Sequence, residues 1–308
     1  MSATPAFHGV IPPVVTPRST DGEIDRKGLE RVVRHLIDGG VHGLFMLGSS
    51  AETPYMSDDE RSTVVELTAE IVNGAVPVIV GANDQTGVRV AEEARRMTRL
   101  GADAVVASSP YYVITNQNEI LDHFRMVRDA VDVPVFAYNV PVRTHIPLGA
   151  DLLAQLAHEG AIVGVKDSSN DDVAFRQLAL ATRDVAGFSL FTGHEVVCDG
   201  AMLSGADGIV PGLGNVDPSG YVRLYEAAAA GDWEAARREQ DRLVDLFTIV
   251  GCPDSNRVSG GAAGLGAFKT ALVELGVISS NTMSKPMAAL NENEAASIRT
   301  ILERTGLL

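Results

Sequence analysis

Residues 133–169 read VPVFAYNVPVRTHIPLGADLLAQLAHEGAIVGVKDSS. Two short, almost unbroken apolar runs, 133–138 and 161–165, stand at either end of a longer segment with room for a helix. Each run closes on residues that carry chemistry: Tyr138 and Asn139 in the first case, Lys166 and Asp167 in the second. Continuous apolar runs of this length are the pattern of parallel strands covered on both faces, whereas a sheet open to water on one side would alternate.

The same alternation extends outward in both directions. Further runs at 9–16, 43–47, 76–81, 104–107, 188–192 and 208–210 bring the number of candidate strands to eight. Amphipathic helices lie between them: Leu29, Val32, Val33, Leu36 and Ile37 form one apolar stripe, and Ile120, Leu121, Phe124 and Val127 another. Ser57 followed by Glu60 reads as a capping box, and Gly39–Gly40 and Gly101 as helix ends. Eight strands alternating with helices fit a closed parallel barrel or a doubly wound sheet. The count of eight, and the lack of a dinucleotide-binding glycine fingerprint after the first strand, favour the barrel. From Pro218 onward the pattern is helical, at 220–230, 233–250, 263–275 and 292–303, with the glycine-rich segment 255–266 expected as a loop. The expected architecture is a (β/α)8 TIM barrel over residues 1–230, followed by a small C-terminal helical extension over 231–308.

Composition narrows the function classes. A chain of 308 residues accommodates one barrel of about 250 residues plus an extension. The formal net charge of -15, with no basic tract, disfavours nucleic acid as a partner. No apolar stretch approaches the ~20 residues of a membrane span. The N-terminal MSATPAFHGV lacks the charged-then-apolar order of a signal peptide. Two unpaired cysteines, Cys198 and Cys252, suit a reducing compartment, and a cytoplasmic enzyme is expected. The seven histidines show no metal-ligand spacing, so no metal is expected. Gly212-Leu213-Gly214 and Gly264-Leu265-Gly266 are too short for phosphate cradles and read as turns.

In a parallel barrel the residues at the C-terminal ends of the strands face the active site. Lys166 is the sharpest candidate there. Its stem leaves a strand buried on both faces, where holding an ammonium charge is unfavourable and a free amine is favoured. A free amine attacks a ketone carbon and yields an imine, which serves as an electron sink. A lysine that merely pairs with Asp167 is the plainer reading of the same position. Tyr138, at the end of the neighbouring strand, supplies a phenol able to move the protons that imine chemistry requires; alone, it would read as an aromatic plug. Ser49 and Ser50 offer hydroxyls, and backbone N–H groups in their turn can hold a carboxylate. Arg143 can grip a second carboxylate, or form a surface ion pair.

Taken together, Gly48-Ser49-Ser50-Ala51-Glu52, Tyr138-Asn139-Val140-Pro141 and Gly164-Val165-Lys166-Asp167 resemble the dihydrodipicolinate synthase/N-acetylneuraminate lyase family, in order and spacing, from about Phe7 to the C-terminal helices. The resemblance implies a class I aldolase that binds a 2-oxo acid such as pyruvate as a Schiff base on Lys166. It implies Tyr138 as the proton-transferring phenol, Ser49 as a relay hydroxyl, and Tyr112 as the tyrosine that reaches across a dimer interface to complete the relay. Ser49 and Ser50 would bind the pyruvate carboxylate, Arg143 the aldehyde's carboxylate, and Val210 would lie close to the substrate. It implies a homotetramer built as a dimer of dimers, and no cofactor beyond the covalent intermediate.

Substrate choice is less uniform. Serines at 49 and 50 and Ala51 stand where the synthases favour two threonines and a glycine. Gly193, His194, Glu195 and Val196 align with the lyases' polyol-binding stretch, which makes Gly193 and Glu195 substrate-binding candidates, while Val196 cannot accept a hydroxyl. The expected activity is cleavage or condensation of a 2-oxo acid with an aldehyde, on a sugar acid or related compound. The alternatives are 4-hydroxy-tetrahydrodipicolinate synthase, using pyruvate and aspartate semialdehyde, and a non-catalytic 2-oxo-acid-binding protein.

Overall fold

The computed structural model describes residues 7–113 and 115–308; residues 1–6 of the N-terminal stretch read above lie outside the described residues. Eight parallel strands curl into a ring: β1 (Gly9–Val10), β2 (Leu44–Met46), β3 (Val78–Gly81), β4 (Ala104–Ser108), β5 (Val135–Asn139), β6 (Gly164–Asp167), β7 (Ser189–Thr192) and β8 (Gly208–Ile209). From β2 to β8 each strand pairs with the next in sequence, and β8 pairs with β1. Between β1 and β2 the link is a single parallel bridge, Pro13 to Phe45. There the Val14 N–H donates to the Phe45 carbonyl at 2.9 Å and the Phe45 N–H to the Pro12 carbonyl at 3.0 Å. The first strand is far shorter than the expected 9–16 because Pro12 and Pro13 carry no N–H to extend a ladder.

The sixth strand begins later than its apolar run. The N–H groups of Ala161 and Ile162 donate to the Leu156 carbonyl of the preceding helix, which holds them out of the sheet. The strand therefore runs Gly164–Asp167, and Lys166 lies within it instead of just beyond it.

Inside the ring, Ile11, Phe45, Ile79, Val106, Phe136, Phe191 and Val210 fill the core, and large residues meet missing ones across the register. Phe136 pairs with Gly164, where a Cβ would lie 2.5 Å from the Phe136 ring; Phe191 pairs with Gly208 with the same clearance. A barrel this narrow must be packed with side chains, and these glycines make room for the phenyl rings. The outward-facing residues, Val80, Val105, Ala137, Val165 and Leu190 among them, are buried under the surrounding helices.

Local signals place the helices. Ser57 and Glu60 form the expected capping box on Asp58–Val72, and Gly39 ends the helix Arg26–Asp38. After β8 come helices Pro218–Ala229, Trp233–Phe247, Gly260–Glu274 and Glu292–Arg304. The segment expected as a loop at 255–266 is a loop only as far as Ser259. Helix Gly260–Glu274 absorbs its glycines, and Leu290 fills the space beside Gly266 at 3.3 Å from where a Cβ would be. Tertiary packing here overrides poor helix propensity. Among the described residues no helix is long and apolar enough to cross a membrane.

Candidate active site

Lys166 and Tyr138 are direct partners across the β5–β6 ladder. Their period-2 neighbours Gly164 and Phe136 belong to the barrel interior, so both side chains rise from the inner face toward the C-terminal mouth. The Lys166 Nζ lies 4.3 Å from the Tyr138 ring centroid and 4.8 Å from that of Phe45. Lysine and tyrosine are 7% and 6% exposed, so the amine is enclosed by aromatic faces instead of solvent. Asp167 does not pair with it. Its carboxylate accepts from Asn139 Nδ2 at 2.7 Å and from Ser169 Oγ at 2.7 Å.

The Tyr138 phenol has three polar neighbours. Burial pushes its pKa up, but the Lys166 charge and hydrogen bonds with Ser168, Ser49 and Lys166 outweigh burial and hold it below the ordinary tyrosine value. Ser49 is thus within hydrogen-bonding reach of the phenol. Ser168, which the sequence places just past the end of the sixth strand without a role, is the second hydroxyl; it follows directly on β6 (Gly164–Asp167), two residues beyond Lys166. Gly193 is required beside it, since a Cβ there would collide with Ser168 Oγ at 2.1 Å and approach Lys166 Cε at 3.3 Å.

Above the phenol opens a cleft of about 430 Å3, lined by Ser49, Ser108, Tyr111, Tyr138, Arg143 and Leu265 among others. A separate small pocket of about 20 Å3 is bounded by Lys166, Val210 and the core aromatics. Arg61 and Arg143 both line the cleft; Arg61 is paired with Glu93 at 3.5 Å. Arg143 sits on the short helix Pro141–Thr144, and Asn139 anchors the segment that follows by accepting the Leu148 N–H at 3.0 Å. The Asn139–Asp167 link thus joins the base of the loop carrying Arg143 to the strand carrying Lys166.

The turn after β2 is backbone-strained at both ends. Leu47 (φ 52°) and Glu52 (φ 63°) are non-glycine residues in the left-handed region, and they bracket the 3-10 turn Ser49–Ala51. The first N–H groups of such a turn have no partner within it and are free to meet an anion.

Other expected residues fall less simply. Ser50 is buried behind the turn, and Val210 lines the inner pocket. Tyr112 is 92% exposed at φ 72°, away from its own barrel's cleft, while its neighbour Tyr111 lines that cleft. Glu195 does not face the cleft: its Oε2 accepts the Leu213 N–H at 2.6 Å, tying the loop after β7 to the loop after β8. Burial raises its pKa to about 7, against the N–H groups of Leu213 and Gly212 and the charge of Lys166.

The family model for the dihydrodipicolinate synthetase family matches residues 6–305. The chain belongs to that family. It is 33% identical over 306 residues to 4-hydroxy-tetrahydrodipicolinate synthase of Phenylobacterium zucineum, covering 99% of each chain. Among solved structures it is similar to YagE, a prophage protein of the dihydrodipicolinic acid synthase family from E. coli K12 in complex with pyruvate. That match has a TM-score of 0.91 at 28% identity and covers 98% of this chain and 100% of the other. A monomeric dihydrodipicolinate synthase variant matches with a TM-score of 0.90 at 28% identity, covering 99% of each chain. The (β/α)8 fold and the assignment to the family's pyruvate-dependent lyases rest on these likenesses together with the barrel itself.

Proposed function

We propose that this dihydrodipicolinate synthetase family member binds a 2-oxo acid such as pyruvate as a Schiff base on Lys166 and cleaves or condenses it with an aldehyde. The observation that carries the reading is the enclosure of the Lys166 amine by Tyr138 and Phe45, with the Tyr138 phenol among the hydroxyls of Ser49 and Ser168. The amine adds to the ketone carbon to give a carbinolamine. Loss of water, with a proton passed by Tyr138 to the departing hydroxyl, leaves the imine. Proton loss from the adjacent carbon gives an enamine that attacks the aldehyde, and cleavage runs the same steps backward. The N–H groups of Ser49 and Ser50 hold the 2-oxo acid's carboxylate, and Arg143 an anionic group on the partner aldehyde. No cofactor or metal has a part in this scheme.

The preferred substrate class is a sugar acid or related 2-oxo acid. The synthase reaction with aspartate semialdehyde is the second reading, favoured by Arg143 in the cleft and by the names of the sequence relatives. The location is cytoplasmic. The assembly is a homotetramer in which Tyr112, solvent-exposed in the single chain, enters a neighbouring protomer's site. Val173 and Leu180 on one helix face, and Leu203 on the adjacent helix, are large apolar residues exposed for a second contact.

Borohydride reduction in the presence of pyruvate tests the chemistry. A reduced pyruvyl adduct is expected on the peptide carrying Lys166 and absent from Lys166→Ala. Protein that gives no adduct with pyruvate or any other 2-oxo acid would return the chain to a non-catalytic binding role. The same trap, run with candidate aldehydes or their aldol products, then separates sugar acids from aspartate semialdehyde.

A further inference from the structure

Helix Gly260–Glu274 presents one face to the barrel mouth. Gly261 and Leu265 on that face line the cleft, and Lys269, one turn further along, is completely buried. Its ammonium is in contact with the carboxylate of Glu52, whose side chain is equally inaccessible, and donates to the Thr282 carbonyl at 3.0 Å. The other Glu52 oxygen accepts the Ser284 N–H at 2.6 Å. Glu52 is thus held by two separate stretches of the C-terminal region. It is also the left-handed residue that ends the Ser49–Ala51 turn.

A buried ion pair is poor evidence for stability, because removing two charges from water offsets much of their attraction. A strained backbone persists only where its surroundings over-determine it. Glu52 combines both features, at the end of the turn whose Gly48 and Ser49 line the cleft. We infer that the Glu52–Lys269 pair positions the carboxylate-binding turn, so that the C-terminal helix sets affinity for the 2-oxo acid without touching it. Neither residue is catalytic in this scheme; both act through the Ser49–Ala51 backbone. The inference rests on the reading that this turn receives the 2-oxo acid's carboxylate.

Burial pushes the Lys269 pKa down and the Glu52 charge opposes it, so Glu52→Gln alone leaves an unpaired buried ammonium. Breaking one partner of such a pair is strongly destabilising, so a single variant that fails to fold says nothing about the turn. The decisive protein is the double variant Glu52→Gln/Lys269→Met, which removes both charges and keeps similar volumes. Thermal melting and the pyruvate dependence of borohydride trapping are measured on wild type and double variant. The expected result is a melting temperature near wild type, a pyruvate KM raised at least tenfold, and a trapping rate at saturating pyruvate within about threefold of wild type. An unchanged KM, a rate loss without a KM change, or a double variant that does not fold overturns the inference. Absence of trapping in wild type overturns the underlying reading of the site, and the inference with it; a wild-type adduct with an unaltered variant KM overturns the inference alone.

Discussion

At the residue scale, the site contains ionisable groups whose behaviour follows from their neighbours, and Glu195 gives the most direct consequence. Its pKa in the fold is about 7, raised by burial from 4.5. Between those values the unfolded chain releases the proton first, so stability is fully present below about pH 4.5 and declines as the pH rises through 7. Glu195→Gln keeps an acceptor for the Leu213 N–H while removing the titration. Denaturant unfolding at pH 5 and pH 8 is expected to show a wild-type loss of ~1–3 kcal/mol that the variant lacks. Equal losses in both proteins would place the titrating group elsewhere. The residues of the site were unevenly legible in the sequence. Lys166 and Tyr138 could be placed at the barrel mouth because each closes an apolar run at the C-terminal end of a strand. Glu195 was read as a substrate ligand from an alignment of short motifs, yet its carboxylate turns toward the amides after β8. Ser168 was placed at the same strand end, but its link to the Tyr138 phenol depends on the barrel's geometry. Lys269 was not legible: nothing local marks a lysine as the buried partner of a glutamate more than two hundred positions earlier.

At the element scale, the two motif strand ends are tied together by Asn139. Its amide donates to Asp167 at 2.7 Å and its oxygen accepts from Leu148 at 3.0 Å, both buried. Asn139→Ala leaves those partners unsatisfied and is expected to cost about 1–3 kcal/mol of stability. It also frees the segment carrying Arg143, so the aldehyde KM should rise several-fold while pyruvate trapping on Lys166 persists. A variant with an unaltered aldehyde KM would show that Arg143 is held by other contacts. Element existence and order were readable because buried parallel strands and amphipathic helices leave strong periodic signals. Boundaries were less so, for identifiable reasons. Pro12 and Pro13 shorten β1, the Leu156 carbonyl claims the start of the sixth run, and packing against Leu290 makes helix of glycines that alone would suggest a loop.

At the scale of the whole molecule, the exposed Tyr112 makes a statement about assembly. If it serves a neighbouring site, a protomer with Lys166→Ala can still donate its tyrosine, and one with Tyr112→Phe can still supply its lysine. Each variant alone should be nearly inactive, with Tyr112→Phe slowed about 100-fold or more. Co-assembled in equal amounts, they should recover about a quarter of wild-type sites, as random pairing across a two-fold interface allows. Catalytic turnover of the mixture, compared with each parent, reads the outcome directly. No recovery would confine Tyr112 to its own chain or to no role.

The ring itself is unequally fastened. The ladders joining β4, β5, β6 and β7 each run four residue pairs, β7 and β8 share two, β8 and β1 share two, and β1 meets β2 at one bridge. Lys166 and Tyr138 stand in the well-fastened arc, where each strand is braced on both sides. The turn of Ser49 and the ring of Phe45 stand beside the sparsest seam, where fewer shared bonds resist displacement. The barrel is in this sense an anvil with a jaw: one wall is braced by long ladders on both sides, while the turn beside the thin seam takes its bracing from outside the sheet, through Glu52 to Lys269 and Ser284.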